Sequence, residues 1–391
     1  MISFNNTAVA FSDKSNLDLT KAYWLFRIMN NPAFVSAGQK LAIFSLKNKL
    51  PVKGIIKSSI FRQFCGGESI DGCKKTVEKL SKYNIGSILD YSVEGKYSDA
   101  DYEAALKEKI NGVKNAKGNP SIPFCVIKVT AIARYGILEK VSGNEQLSED
   151  EKSEFAKVKL RLDQLCNHSF LCNVPLLIDA EESWMQEAID DLAFEMMKKY
   201  NKEKPVIYNT IQLYRWDRLD FLKKSYSQCI ENNLFLGIKL VRGAYMEKEK
   251  ERAEKYGYKS PIHATKENTD TYYDNAISFC INNIDKIGLI AATHNEESCS
   301  KLVSQIEEKK LNKKHPHLYF GQLYGMSDQI TYNLAYNGFN VAKYVPYGPV
   351  KEVLPYLIRR AQENSSIAGQ MGRELSLIIK EKERRKRERN N

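Results

Sequence analysis

The spacing of apolar and polar positions changes character once along the chain. From about Asp18 to Tyr83 apolar residues recur three and four apart, in KAYWLFRIMN, GQKLAIFSLKNKL and GCKKTVEKLSKYN, the spacing of helices that bury one face. Beyond Tyr83, short runs rich in β-branched and aromatic residues recur, each followed by a longer amphipathic stretch. Eight such runs fall at 85–93, 124–132, 174–181, 206–214, 236–245, 287–295, 317–325 and 340–348. Intervening stretches such as EESWMQEAIDDLAFEMMKKYN and RLDFLKKSYSQCIENN are long enough to carry the chain back over a sheet between parallel strands. The tally predicts an α/β fold, a (β/α)8 TIM-like barrel with an N-terminal helical arm. A doubly wound sheet is the alternative, but no GxGxxG follows the first strand. The expected division is a helical arm over 1–75, a barrel over 76–368 and a basic helical tail over 369–391.

In such a barrel, function gathers where the strands end. Those ends carry Lys128 in the second run and Asp179 in the third, then Gln212 and Tyr214. Lys239, Arg242 and Tyr245 follow in the fifth, Thr293, His294 and Asn295 in the sixth, Gln322 and Tyr324 in the seventh, and Tyr344 in the eighth. Past the eighth, PYLIRRAQEN places Tyr356, Arg359, Arg360 and Glu363 on one narrow polar helical face, with Val353, Leu354, Leu357, Ile358 and Ala361 on the rest. Paired guanidiniums in a confined polar space suit a carboxylate or phosphate. Pro349 is the expected helix start. That places Pro355 inside the helix, where it would kink the axis one turn before Arg359.

Composition narrows the chemistry. The 391 residues are 43% hydrophobic, enough for a large core, and no apolar run approaches the roughly 18 residues of a membrane span. The eight cysteines form no CxxC pair and are expected as reduced, buried thiols. His315 and His317 flank a proline and are expected at the surface, with no metal site. The formal charge is +11, part of it in KEKERRKRERNN, where seven Lys/Arg stand against three Glu. That tail is either a solvated, fraying helix end or a contact with acidic lipid, and nucleic acid is not an expected partner. The strand ends show neither a Ser-His-acid arrangement nor a cluster of metal ligands, so a bound organic cofactor with phosphates is the expected source of chemistry. The N-terminus shows neither a secretory nor a transit pattern. A cytoplasmic location is expected, with the tail peripheral on the inner face of the membrane.

KLVRGAYMEKEKERA, IDAEE, ATHN and KYVPYGPVKEVLPYLIRRAQEN resemble, in order, the motifs of the FAD-dependent proline dehydrogenases, over about residues 67–366. The resemblance implies oxidation of L-proline to Δ1-pyrroline-5-carboxylate by hydride transfer to FAD, with the electrons passed to a quinone. It implies a separate pyrroline-5-carboxylate dehydrogenase for the next step. It assigns Arg359 and Arg360 to the proline carboxylate, Tyr356 and Tyr344 to the edges of the ring, and Lys128 and Asp179 to a charged pair beneath it. Tyr344 matches the proline-selective form rather than the hydroxyproline-selective one. On the flavin side it implies Lys239 near the reactive edge, with Gln212, Val241, Gly243 and Ala244 along the ring. Lys266 goes to the pyrophosphate, Thr293, His294 and Asn295 to the adenosine end, and Glu363 to orienting the flavin or the arginines. Strand alternation makes Arg242 the less certain contact. Two other readings stay open: a flavin barrel of the methylenetetrahydrofolate reductase type, and a catalytically inactive relative that binds a metabolite or an acidic partner.

Overall fold

The computed structural model describes residues 2–31, 33, 35–36, 38, 53–92, 98–366 and 370–390, with the backbone alone at 53, 55, 361–366, 370 and 371. Eight strands close a barrel in sequential order: β1 Ile85–Tyr91, β2 Phe124–Lys128, β3 Leu176–Asp179, β4 Ile207–Gln212, β5 Leu236–Val241, β6 Ile287–Ala292, β7 Leu318–Leu323 and β8 Val341–Tyr347. The pairings described from β2 to β7 are parallel. The helices include α1 Thr7–Ala10, α2 Asn16–Met29, α3 Ile70–Ser81, α4 Asp99–Ala116, α5 Tyr135–Ser142, α6 Glu149–Cys172 and α7 Ser183–Tyr200, with short helical turns over 53–64 between α2 and α3. They continue as α8 Arg218–Glu231, α9 Met246–Tyr256, α10 Lys266–Asn282, α11 Glu296–Glu308, α12 Asp328–Tyr336, α13 Leu354–Ser366 and α14 Gln370–Asn390. The barrel matches the expected fold class. The predicted helix in GQKLAIFSLKNKL lies almost wholly outside the described residues.

Each strand falls within its predicted run but stops one to four residues sooner at its C-terminal end. There the backbone leaves the ladder for a turn that apolar patterning does not encode. A 3-10 turn, Val129–Ala131, follows β2. After β5, Gly243 takes φ +135°, and a Cβ there would fall 2.5 Å from the Tyr214 ring, so only glycine fits. Arg242, Tyr245, Thr293, His294 and Asn295 therefore belong to βα turns rather than to strands.

The chain forms two compact units, residues 95–321 with 339–342, and residues 2–94, 322–338 and 343–391. In the first, Ile127, Leu177, Ile178, Ile207, Ile211, Leu240 and Leu289 are fully buried. Near the strand starts, Phe124 meets Tyr208 and Tyr319 edge-on with ring centroids 5.6 and 4.9 Å apart, a packing that suits the aromatic quadrupole. His315 and His317 are half-buried here rather than on the surface. His317 donates its backbone N–H to His315 Nδ1 (3.2 Å) and lies edge-on to Phe235.

In the second unit α2 starts at a capping box, Ser15 with Asp18. Its buried face, Leu19, Ala22, Phe26 and Met29, joins Phe11, Met326, Val353, Tyr356, Leu357, Leu377 and Ile378 in one core. The helix of the arginine pair begins at Leu354, not Pro349. Pro355 thus sits in the first turn, where its missing N–H has no intrahelical acceptor to lose, and the expected kink does not arise. The tail is not a fraying end over its first half. Glu381 is fully buried and accepts from Arg384 and Arg385, while Arg385 also donates to the carbonyls of Phe11 (2.9 Å) and Lys14 (2.8 Å). Beyond Arg385, Lys386, Arg387 and Arg389 all face solvent. All eight cysteines are free, seven of them buried.

Candidate active site

Three charged side chains meet at the strand ends of the first unit. Asp179 closes β3, and its carboxylate pairs with the Lys239 ammonium, which is 4% exposed on β5. Lys128, the last residue of β2, stands opposite Asp179 in the β2–β3 register and donates to the Tyr245 hydroxyl (3.4 Å). Barrel closure alone needs none of these charges, and taking ions out of water is costly, so their presence at the mouth marks a site. Burial pushes the Tyr245 phenol up to about 12 against the opposing pull of Lys128, so it stays protonated at neutral pH and is available as a donor.

Gln212, the last residue of β4, is buried and donates from Nε2 to the Glu181 carbonyl (2.7 Å). The Glu181 carboxylate accepts from the N–H (3.1 Å) and hydroxyl (2.7 Å) of Thr130 in the turn after β2. Burial raises its pKa, with Lys128 and Thr130 pulling the other way. The acids of IDAEE therefore diverge: Asp179 reaches β5, Glu181 the β2 turn, and Glu182 the Lys248 ammonium on α9 (2.6 Å).

A second cluster lies one strand further on. Arg242 donates to Asp270 on α10 (2.7 Å), to the Thr293 hydroxyl (2.7 Å) and to the Ser298 hydroxyl (3.0 Å), and its guanidinium lies 4.4 Å from the Tyr273 ring centroid. It reaches α10, α11 and the turn after β6, and so holds the turns after β5 and β6 together. Lys266, the first residue of α10, is two-thirds exposed and pairs with Asp270. Against the burial that would raise it, Lys266 and Arg242 hold the Asp270 carboxyl below its ordinary value. Asn295 spends its side chain capping α11, accepting from the Ser298 N–H (2.9 Å), and His294 is half-buried beside it. Val241 is half-buried at the end of β5, and Gly243 and Ala244 are exposed in the turn after it.

In the second unit Arg359 and Arg360 are neighbours on α13, both half-buried. The Arg360 guanidinium lies 5.3 Å from the centroid of the Tyr356 ring, a cation–π contact. Tyr356 is itself 8% exposed, part of that unit's core. Tyr344 is buried in β8, and its carbonyl accepts from the Tyr324 N–H (2.7 Å). The side chain of Glu363 lies outside the described residues.

The structure thus pairs Asp179 with Lys239, sets Lys128 opposite Asp179 and against Tyr245, places Gln212 against Glu181, and joins Lys266 and Thr293 through Asp270 and Arg242. Among the described residues no group of acids, histidines and cysteines is arranged to hold a metal ion. Sequence reasoning left Glu181 and Tyr245 without a role. The doubled acid of IDAEE and the aromatic of GAY were the visible signals.

The donor set fits a flavin dinucleotide. It offers a buried lysine and a buried amide for a polar ring, a glycine turn open to close approach, and a lysine at the start of a helix for phosphate. The proline dehydrogenase family model matches residues 73–373. The chain is 33% identical to proline dehydrogenase 1, mitochondrial, of Dictyostelium discoideum, covering 97% of this chain and 74% of that protein. It is 30% identical to a hydroxyproline dehydrogenase of Xenopus laevis, covering 98% and 90%. A crystal structure of proline utilization A from Bdellovibrio bacteriovorus superposes with a TM-score of 0.72 at 20% identity, covering 93% of this chain but only 38% of that much longer one.

Proposed function

The chain belongs to the proline dehydrogenase family, and on that premise we propose that it oxidises L-proline to Δ1-pyrroline-5-carboxylate with bound FAD, the electrons passing to a quinone. The observation that carries the reading is the buried Asp179–Lys239 pair with Lys128 beside it, a charged floor at the ends of three strands. FAD, when bound, supplies the hydride acceptor for C5 of the ring.

The residues of the chain bind, orient and polarise. Arg359 and Arg360 take the substrate carboxylate, their planar forks matching its two oxygens. Lys239 supplies a cation where negative charge develops on the acceptor, and Asp179 fixes the rotamer that presents it. Lys128, hydrogen-bonded to Tyr245, orients that phenol at the edge of the substrate space. Gln212 would hydrogen-bond the flavin ring, and Val241, Gly243 and Ala244 would lie along it. Lys266, two-thirds exposed at the start of α10, would hold the pyrophosphate. Thr293, held by Arg242, takes the adenosine end with His294 and Asn295. Tyr344 and Tyr356 border the ring, and Glu363 orients the arginines or the flavin. Removing a hydride from C5 and the proton from nitrogen leaves the C5=N imine. An amine that enters neutral needs no strong base, its N–H proton passing to solvent, and turnover then rises with pH.

The product is the substrate of a pyrroline-5-carboxylate dehydrogenase activity. Among the described residues no helix is long and apolar enough to cross a membrane. We propose a cytoplasmic protein whose basic tail reaches a membrane-borne quinone peripherally. The visible spectrum recorded without oxygen tests the reading. L-proline should bleach the flavin band. The likeness to a hydroxyproline dehydrogenase gives a second reading, in which 4-hydroxyproline bleaches it instead, and the bulk of buried Tyr344 favours proline. A flavin band that neither compound bleaches rejects both.

A further inference from the structure

One doubly bonded contact at the mouth involves a residue to which the proposed reaction gives no role. Glu249 lies in the first turn of α9 and is fully buried, unlike the helix's other acids, Glu247, Glu251 and Glu254. Its carboxylate accepts from both donors of one residue on another element: the Ser183 N–H at Oε1 and the Ser183 hydroxyl at Oε2, each at 2.6 Å. Ser183 is the first residue of α7, and the residue before it, Glu182, makes no side-chain cap to that helix. Glu249 therefore supplies, from 66 residues away, the cap that the local sequence of α7 lacks.

The placement is symmetrical about the site. Ser183 lies four residues after Asp179, and Glu249 lies four residues after Tyr245, whose carbonyl accepts the Glu249 N–H (2.9 Å). The strap thus joins the turn after β3 to the turn after β5, on either side of β4, whose last residue, Gln212, donates to the Glu181 carbonyl within the strapped turn. Beneath it, Asp179 and Lys239 join the same two strands, and Lys128 reaches Tyr245. A two-donor bond in a dry setting is stiff, because either half breaking leaves a buried carboxylate oxygen unpaired.

We propose that Glu249 is a positioning residue, whose bond to Ser183 fixes the β3 turn against the β5 turn and so sets where Asp179, Lys239 and Lys128 present their charges. The inference rests on the proline-oxidation reading. Displacing such groups by about an ångström is enough to cost on the order of 10- to 100-fold in a chemical step without touching the substrate.

The experiment compares the wild-type holoenzyme with Glu249→Ala, Glu249→Gln, Ser183→Ala and the double variant Glu249→Ala/Ser183→Ala. Four quantities are read: FAD affinity by flavin fluorescence, the bound-flavin absorption spectrum, the anaerobic reduction rate per bound FAD, and the half-saturating proline concentration. Glu249→Ala should slow reduction per bound FAD by about 10-fold or more and shift the bound-flavin spectrum, with half-saturation changed by less than about threefold. Glu249→Gln, whose amide oxygen still accepts the Ser183 N–H, should recover part of the rate. Ser183→Ala should be milder than Glu249→Ala, and the double variant no worse than Glu249→Ala alone. A cap that serves only stability predicts a different pattern: a lower melting temperature, less FAD retained, and an unchanged rate and spectrum for each FAD that remains. That pattern, or full additivity of the two substitutions, overturns the proposal. If proline fails to reduce the wild-type flavin, the substrate reading falls, while FAD affinity and spectrum across the variants still decide for or against the strap. Failure of the wild type to take up FAD overturns both.

Discussion

At the scale of single residues, the two halves of the buried pair are not equivalent. Lys239 is 4% exposed, whereas the Asp179 side chain keeps 14% of its surface in contact with solvent. Asp179→Ala removes the carboxylate that neutralises a buried ammonium and should lower stability by about 3 kcal/mol or more. Lys239→Met keeps the stem and leaves a carboxylate that water and Lys128 can reach, so its cost should be smaller. Urea unfolding of the two variants checks the order, and equal losses would contradict it. The arginines behave differently because they serve a ligand. Replacing Arg359 or Arg360 by methionine should raise the half-saturating proline concentration roughly 30-fold, about 2 kcal/mol for one lost partner of a charge pair, without altering the oxidised flavin spectrum. The residues of this scale divide by how they were legible. Lys128, Asp179 and Lys239 stood out because charge at the end of an apolar run has no packing reason to exist. Glu249 did not, since a glutamate in MEKEKERAEK reads as one more solvated charge until the fold brings Ser183 onto it.

At the scale of elements, one device occurs twice. α12 begins at Ser327, whose backbone is left-handed at φ +50° and whose side chain makes no cap, and the Glu374 carboxylate from α14 accepts its N–H at 2.6 Å. As with Glu249 and Ser183, a buried acid on one helix caps another, so neither cap is written in local sequence. The amphipathic stripe of α7 was readable, but what starts that helix, or α12, was not. Strand ends were misplaced for a related reason, because apolar patterning continues past the point where the backbone turns.

Glu374 also gives a pH test. Burial pushes it up to about 7, and the Asp328 carboxylate adds to this against the Ser327 N–H, Lys343 and Lys14. A carboxyl whose folded value lies above its unfolded 4.5 favours folding most below pH 4.5 and loses that contribution as pH rises to 7. Wild type should therefore lose about 3 kcal/mol between those limits relative to Glu374→Gln, which keeps an acceptor for Ser327 without titrating. Urea unfolding at pH 5 and pH 8 measures the difference. Asp328, held below its ordinary value by Lys14 and Lys343 despite its burial, acts in the opposite sense below pH 3.8, so the two windows separate.

At the scale of the whole molecule, barrel closure was legible because eight short β-rich runs, each followed by a longer amphipathic stretch, have few other solutions. The tail was not, because its composition conceals a division of labour. Arg384 and Arg385 are engaged by Glu381, and Arg385 also by the carbonyls of Phe11 and Lys14, so deleting the tail would remove a packing element along with its charge. Lys386, Arg387 and Arg389 are exposed and touch no buried acid. If the tail brings the protein to an anionic surface, these three do so, and changing them together to glutamine separates charge from packing. At about 1 kcal/mol for each cation near the surface, the triple variant should bind vesicles containing phosphatidylglycerol roughly 100-fold more weakly at low salt, with an unchanged melting temperature. The difference should shrink as salt shortens the reach of the charges. Undiminished sedimentation of the triple variant with those vesicles would rule the tail out as an anchor, and a fall in melting temperature would show that the last turns, too, belong to the fold.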